Sequence, residues 1–210
     1  MLIGKDLLPG NTHGGVMIYY KNSLALRHRP DLENQTNTLV CEVSVDQKKI
    51  FVSLTYRKFG QTKTEFDTFA LNFDLMCKNI NDENPLCSIY LGDFNAHSSE
   101  WYTGDDTDYE GRELLHYFTI NELYQLLTEP TYLVGDKKSC IDLVLTDQPN
   151  LVINCEIIPS LHTNCHHQIN QVTINVRSPP PPPFSRRKWH YDRARVDLIK
   201  RAIIDYHWEK

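Results

Sequence analysis

No stretch of the 210 residues approaches the roughly 20 consecutive apolar positions that a membrane helix requires, so no membrane partner is expected. The opening Met1-Leu2-Ile3-Gly4-Lys5-Asp6 lacks a basic flank leading into an apolar segment, so no secretory signal is read there. There is no internal repeat and no C-x-x-C pair. Excess positive charge is also missing: the formal net charge is −5, which argues against strong non-specific attraction to nucleic acid. The six cysteines form no disulfide framework by spacing. Cys41, Cys87 and Cys140 sit inside apolar, strand-like runs, where a thiol behaves as a small hydrophobe, and this reads as a protein of a reducing compartment.

The sequence does have the length for one sizeable core. Gly15 to Tyr20 predicts a short strand, and Leu39–Val45 with Lys49–Tyr56 predicts a hairpin across a short polar turn. Phe66, Phe69, Ala70, Phe73, Met76 and Ile80 recur at helical spacing behind Thr62 and Glu65, which fit a capping box. Leu86–Leu91 reads as a strand covered on both faces. A second helical region is expected over Gly111–Leu127, with a break near Thr119. Strands follow at Cys140–Thr146, Leu151–Ile158 and Gln171–Val176.

Beyond these strands, Pro179 to Pro183 cannot join a ladder and reads as a polyproline II spacer. Asp192 to His207 predicts an amphipathic helix. The expected organisation is a domain over 1–178, a proline-rich linker over 179–184 and a basic amphipathic helix over 185–210. Alternating strands and helices with hairpins among them indicate an α/β layered fold.

Four pieces carry chemistry. Leu91-Gly92-Asp93-Phe94-Asn95 ends a buried strand, delivering Asp93 where open α/β sheets build their sites. A carboxylate there can orient a water or hold a divalent cation, and the Asn95 amide can reach a phosphoryl oxygen. Asp and Asn after a strand also form ordinary turns. Asp142 interrupts an apolar strand, and a buried carboxylate needs a partner. Histidine is the natural one, and Cys165-His166-His167 lies just before another strand. Tyr56-Arg57 ends a strand, where a tyrosine can donate to phosphate and an arginine can clamp it. The same pair also serves as simple cover in many proteins.

The order of these motifs resembles the endonuclease/exonuclease/phosphatase superfamily, and more narrowly the endonuclease domain of non-LTR (LINE, jockey-like) retrotransposon polyproteins. The motifs are Gly-Gly-Val-x-Ile-Tyr, a strand ending Tyr-Arg, Gly-Asp-Phe-Asn, Ser-Cys-Ile-Asp-Leu-Val and His-His-x-Ile. The resemblance implies a four-layer α/β sandwich of the deoxyribonuclease I type and Mg²⁺- or Mn²⁺-dependent cutting of DNA. It also implies a downstream reverse-transcriptase domain in a full-length polyprotein. On matching positions it implies that Asp93 activates water, that Asn95 and Tyr56 contact phosphate, and that Asp142 orients His167. His167 would stabilise the phosphate or move a proton. Arg57 would bind phosphate, and Asp93 with His166 would touch the metal.

Two departures stand out. The family's main metal-ligand Glu has no match, since the first 13 residues contain none, and the first strands and covering helix are expected to be missing. His166 also stands where the superfamily has an aspartate. An inactive fragment of the domain, a phosphatase of small phosphoesters, a zinc module using His162, Cys165, His166 or His167 with Cys155, and a docking role for the proline run are the competing readings.

Overall fold

The structure, a computed structural model, describes residues 1–5, 15–34, 37–162, 164–176 and 195–206. The chain divides into two compact units, Met1–Arg177 and Ser178–Lys210. The proline run and the basic stretch 185–194 lie outside the described residues. In the second unit a helix spans Val196–Asp205, within the expected range, and its aligned Val196, Ile199 and Ile203 are exposed. Among the described residues no helix is long and apolar enough to cross a membrane.

In the first unit the strands are β1 (Leu2–Lys5), β2 (Val16–Tyr19), β3 (Leu26–His28), β4 (Thr38–Val45), β5 (Lys48–Tyr56) and β6 (Cys87–Asp93). They continue as β7 (Tyr124–Gln125), β8 (Tyr132–Val134), β9 (Lys137–Ser139), β10 (Asp142–Thr146), β11 (Val152–Ile158) and β12 (Ile169–Ile174). Helix α1 spans Lys63–Asp82 and α2 spans Tyr109–Ile120. The central sheet has the order β3-β4-β5-β6-β10-β7. Only the β5–β6 pairing in it is parallel, with α1 as the crossover.

Local chemistry explains most of these elements. Asp46 and Gln47 take φ of 48° and 66°, the left-handed values that a two-residue turn between β4 and β5 needs. The Thr62–Glu65 capping box is formed and starts α1. The α1 stripe then buries Phe66, Phe73 and Met76 completely. Phe73 meets the rings of Tyr90, Phe94 and Phe118 at centroid distances of 5.7, 5.6 and 5.9 Å. Such edge-to-face pairs add about 0.5–1.5 kcal/mol each beyond burial.

The two helices cover one face of the central sheet. On the other face the β1–β2 pair lies over β4 and β5, and β12 lies beside β10. The result is a layered α/β fold.

Three expectations change. The helical region ends at Ile120: Glu122 adopts φ 54° and Tyr124–Gln125 pairs with β10, although Leu123 and Leu127 are buried as expected. Strand β6 runs two residues past the expected Leu86–Leu91, which leaves Asp93 at its C-terminal edge as expected. Four short strands, β1, β3, β8 and β9, were not anticipated.

Candidate active site

Three expected site residues stand in one row. Tyr56 ends β5, Asp93 ends β6 and Asp142 begins β10, and the ladders set Tyr56 opposite Asp93 and Asp93 opposite Asp142. Residues directly opposite in a ladder share a face. The row therefore presents a phenol and two carboxylates along the C-terminal edge of the parallel pair.

Gly92 lets these strands come together. Its φ is 151°, and a Cβ there would stand 1.8 Å from the Thr55 carbonyl oxygen, so no other residue fits. The next anchor is Phe94. It is fully buried among Phe69, Phe73 and Phe118, which fixes its neighbours Asp93 and Asn95 at the rim. Asn95 holds φ 46°, a left-handed value that Asn tolerates better than most residues. Its backbone N–H donates to Asp93 Oδ1 at 3.1 Å, and its side-chain Nδ2 donates to the Arg57 carbonyl at 2.7 Å.

Arg57 corrects an expectation. Its side chain is turned into the protein instead of toward a phosphate, and only 2% of the residue is exposed. The guanidinium donates to the carbonyls of Phe94 and Asn95 and lies over the Phe66 ring, 5.3 Å from its centroid. Arg57 thus holds the Asp93-Phe94-Asn95 turn in place. Burial pushes its pKa down, and the nearby Glu110, Asp108 and Asp93 partly offset that.

His167 meets its expected partner. Its Nδ1 lies 2.9 Å from Asp142 Oδ2 and 3.1 Å from Oδ1. The hydrogen bond to Asp142 raises the imidazole pKa, against the opposing effect of burial. Tyr132 packs edge-on against the ring at 4.8 Å and pairs with His167 through an isolated β-bridge. His166 is exposed, and its carbonyl accepts from Leu133 N–H. The one group of three metal-capable side chains found among the described residues is Asp93, Asp142 and His167, with ligand atoms within 4.8 Å of one another. His166 does not join it. Among the described residues, neither do His162, Cys155 and Cys165.

Electrostatics mark Asp93. Burial, reinforced by the Asp142 carboxylate, pushes its pKa up to about 6, while His167 and Asn95 pull the other way. Two carboxylates forced together are a donor set that a hard divalent cation relieves.

Sequence reasoning missed the residues that hold this edge. Thr131 is fully buried, and its hydroxyl accepts the N–H of Ile141 at 3.2 Å and of Asp142 at 2.9 Å. Its carbonyl accepts Gln168 N–H, so one residue ties Asp142 to the His167 segment. Trp101 Nε1 donates to the Cys140 carbonyl at 3.0 Å. Asp105 Oδ2 accepts Cys140 N–H at 3.0 Å, and its Oδ1 lies 3.3 Å from His97 Nδ1. Glu-Pro-Thr-Tyr reads locally as a loop, and no sequence signal marked Thr131. All six cysteines are free, and burial pushes Cys41 and Cys87 up to about 11 and Cys140 up to about 12, which keeps those thiols protonated and inert.

Residues 50–170, more than half of the chain, match the family model described as endonuclease-reverse transcriptase. No curated protein matches the sequence. Among solved structures, the endonuclease domain of TRAS1, a telomere-specific non-LTR retrotransposon, superposes with a TM-score of 0.71 at 17% identity, covering 85% of this chain and 81% of that one. The 3′ phosphatase NExo from Neisseria, bound to a product DNA hairpin, gives 0.57 at 14% identity, covering 83% and 79%. An AP endonuclease from Archaeoglobus fulgidus gives 0.53 at 11% identity, covering 83% and 79%. At these identities the likeness is one of fold.

Proposed function

The chain belongs to the endonuclease-reverse transcriptase family, and from that premise we propose that its first unit is a divalent-metal-dependent endonuclease that nicks DNA. The observation that carries the proposal is the Asp93–Asp142–His167 cluster at the edge of the central sheet. Endonuclease chemistry of this kind is in-line attack of water on a phosphodiester.

Asp93 is the base in this reading. It ends β6 directly opposite Asp142 and beside His167, where it can orient the attacking water and take its proton. His167, held by Asp142 through Nδ1, presents Nε2 to the phosphate. Its raised pKa favours the imidazolium, which stabilises charge on the phosphoryl oxygens or gives a proton to the leaving oxygen. Asn95 has a second amide hydrogen beyond the one donated to Arg57, and with the Tyr56 hydroxyl it supplies neutral donors to the same oxygens. Arg57 keeps the turn in place without touching substrate.

Asp93 and Asp142 would hold the cation, Mg²⁺ or Mn²⁺, whose chemistry is to neutralise phosphoryl charge and lower the pKa of a bound water. One observation supports a second reading, in which the fold is kept without turnover. Among the described residues no glutamate joins the cluster, while the family resemblance implies one as main ligand.

A supercoiled-plasmid nicking assay separates the two. The endonuclease reading expects nicked circles with Mg²⁺ or Mn²⁺ and none with chelator. An intact plasmid under every metal condition, from a protein with a cooperative melt, establishes the inactive reading instead.

A further inference from the structure

We propose that Phe59 is a DNA-stacking residue, placed to pack on a nucleobase beside the phosphate held at Asp93; this rests on the nuclease reading above. Phe59 is 76% exposed. A single exposed apolar residue is ordinary on a protein surface, so its place is what carries the argument. It lies in the connection between β5 and α1, both of whose ends are fixed. At the first end Arg57 N–H donates to the Asp93 carbonyl at 2.8 Å, and the Arg57 side chain grips Phe94 and Asn95. At the other end Thr62 closes the capping box of α1.

Phe59 is two residues from Arg57, so at most about 7 Å of chain separates it from the backbone bonded to Asp93. Nucleotides on one strand of a duplex advance about 3.4 Å each, so that reach spans one to two nucleotides. Lys58 beside it is exposed and carries a charge suited to the flanking phosphate. Gly60 turns the chain at φ 75° with open space around it, which leaves room for a base against the ring. A protein with net charge −5 gains little from general attraction to DNA. Stacking is indifferent to that charge and to base identity.

The test is binding without cutting. Affinities for fluorescent duplex and single-stranded oligonucleotides are measured in chelator at several salt concentrations, for the full chain and for Phe59→Ala, Phe59→Leu, Phe59→Tyr and Lys58→Ala. Replacing Phe59 by alanine is expected to weaken binding roughly tenfold, about 1.4 kcal/mol, without changing the salt slope. Phe59→Leu is expected to lose most of the same affinity, Phe59→Tyr to keep it, and Lys58→Ala to reduce the salt slope by about one. Because Phe59 is exposed, thermal melts of the variants should match the parent.

Cutting and binding by the parent with unchanged affinity in Phe59→Ala overturns the stacking role and leaves the nuclease reading standing. Full affinity in Phe59→Leu overturns stacking in favour of plain apolar contact. Failure of the parent to bind either oligonucleotide overturns the stacking role, and the nuclease reading falls with it only if supercoiled plasmid also stays intact in Mg²⁺ and Mn²⁺. Phe59-dependent binding by a chain that never nicks sustains the stacking role alone.

Discussion

Asp93 and Asp142 are direct cross-strand partners on β6 and β10, so the fold sets two carboxylates side by side at one sheet edge. Like charges in that position destabilise an antiparallel pair. An arrangement that costs stability and gathers a histidine supports the site proposed above.

The cost predicts a pH dependence. In the unfolded chain Asp93 titrates near 3.8, and in the fold near 6, so the native state binds the proton more tightly. Its ionisation therefore lowers stability as pH rises from about 4 to about 6. His167 acts in the same direction: its folded pKa lies above 6.5, so its contribution is full below that value and is lost as pH rises through the folded pKa. Without metal, Asp93→Asn is expected to be more stable than the parent by about 1–3 kcal/mol at pH 8, and equal to it near pH 4. Urea denaturation at the two pH values checks this, and equal gains at both would contradict the charge explanation.

Arg57→Lys keeps a charge but cannot serve two carbonyls with one fork. Losing those bonds inside the protein is expected to cost about 2–4 kcal/mol in urea melts. A loss within about 0.5 kcal/mol, the range of ordinary surface changes, would return Arg57 to a surface role.

Gly92→Ala places a methyl group on the Thr55 carbonyl and forces a φ that L-residues avoid. The expected loss is above about 3 kcal/mol, or insoluble protein. An unchanged melting temperature would refute the close approach of β5 to β6 described here.

Thr131→Val is close to isosteric and removes the acceptor for two backbone N–H groups. A stability loss of about 1–3 kcal/mol is expected, with faster amide exchange at Ile141 and Asp142. Unchanged exchange would show that Thr131 does not hold the edge.

The parts of this architecture that were legible in the sequence are those written locally. The β4–β5 hairpin, the α1 capping box and the Gly-Asp-Phe-Asn turn each declare themselves within a few residues. The partnership of Asp142 with His167 was also inferable, because a carboxylate in an apolar strand needs a counterpart. Pairings across the chain were not. The register that opposes Asp93 to Asp142 is set by 48 intervening residues, and the link from Thr131 to Gln168 depends on a bridge between loops. The Leu123–Leu127 spacing imitated a helix, whereas Leu123 is buried from the turn between α2 and β7 and Leu127 from the loop after β7. Arg57 looked like a phosphate clamp because sequence shows its type and position, not the direction of its side chain.

The central claim is that Asp93, Asp142 and His167 form the reacting site while His166 does not. Nicking of supercoiled plasmid in Mn²⁺ by the parent, Asp93→Ala, His167→Ala and His166→Ala tests it most directly. The account predicts nicking by the parent, a loss of at least about a hundredfold in Asp93→Ala and His167→Ala, and near-parental rates in His166→Ala. Nicking that survives Asp93→Ala and His167→Ala, or that disappears only in His166→Ala, would contradict it.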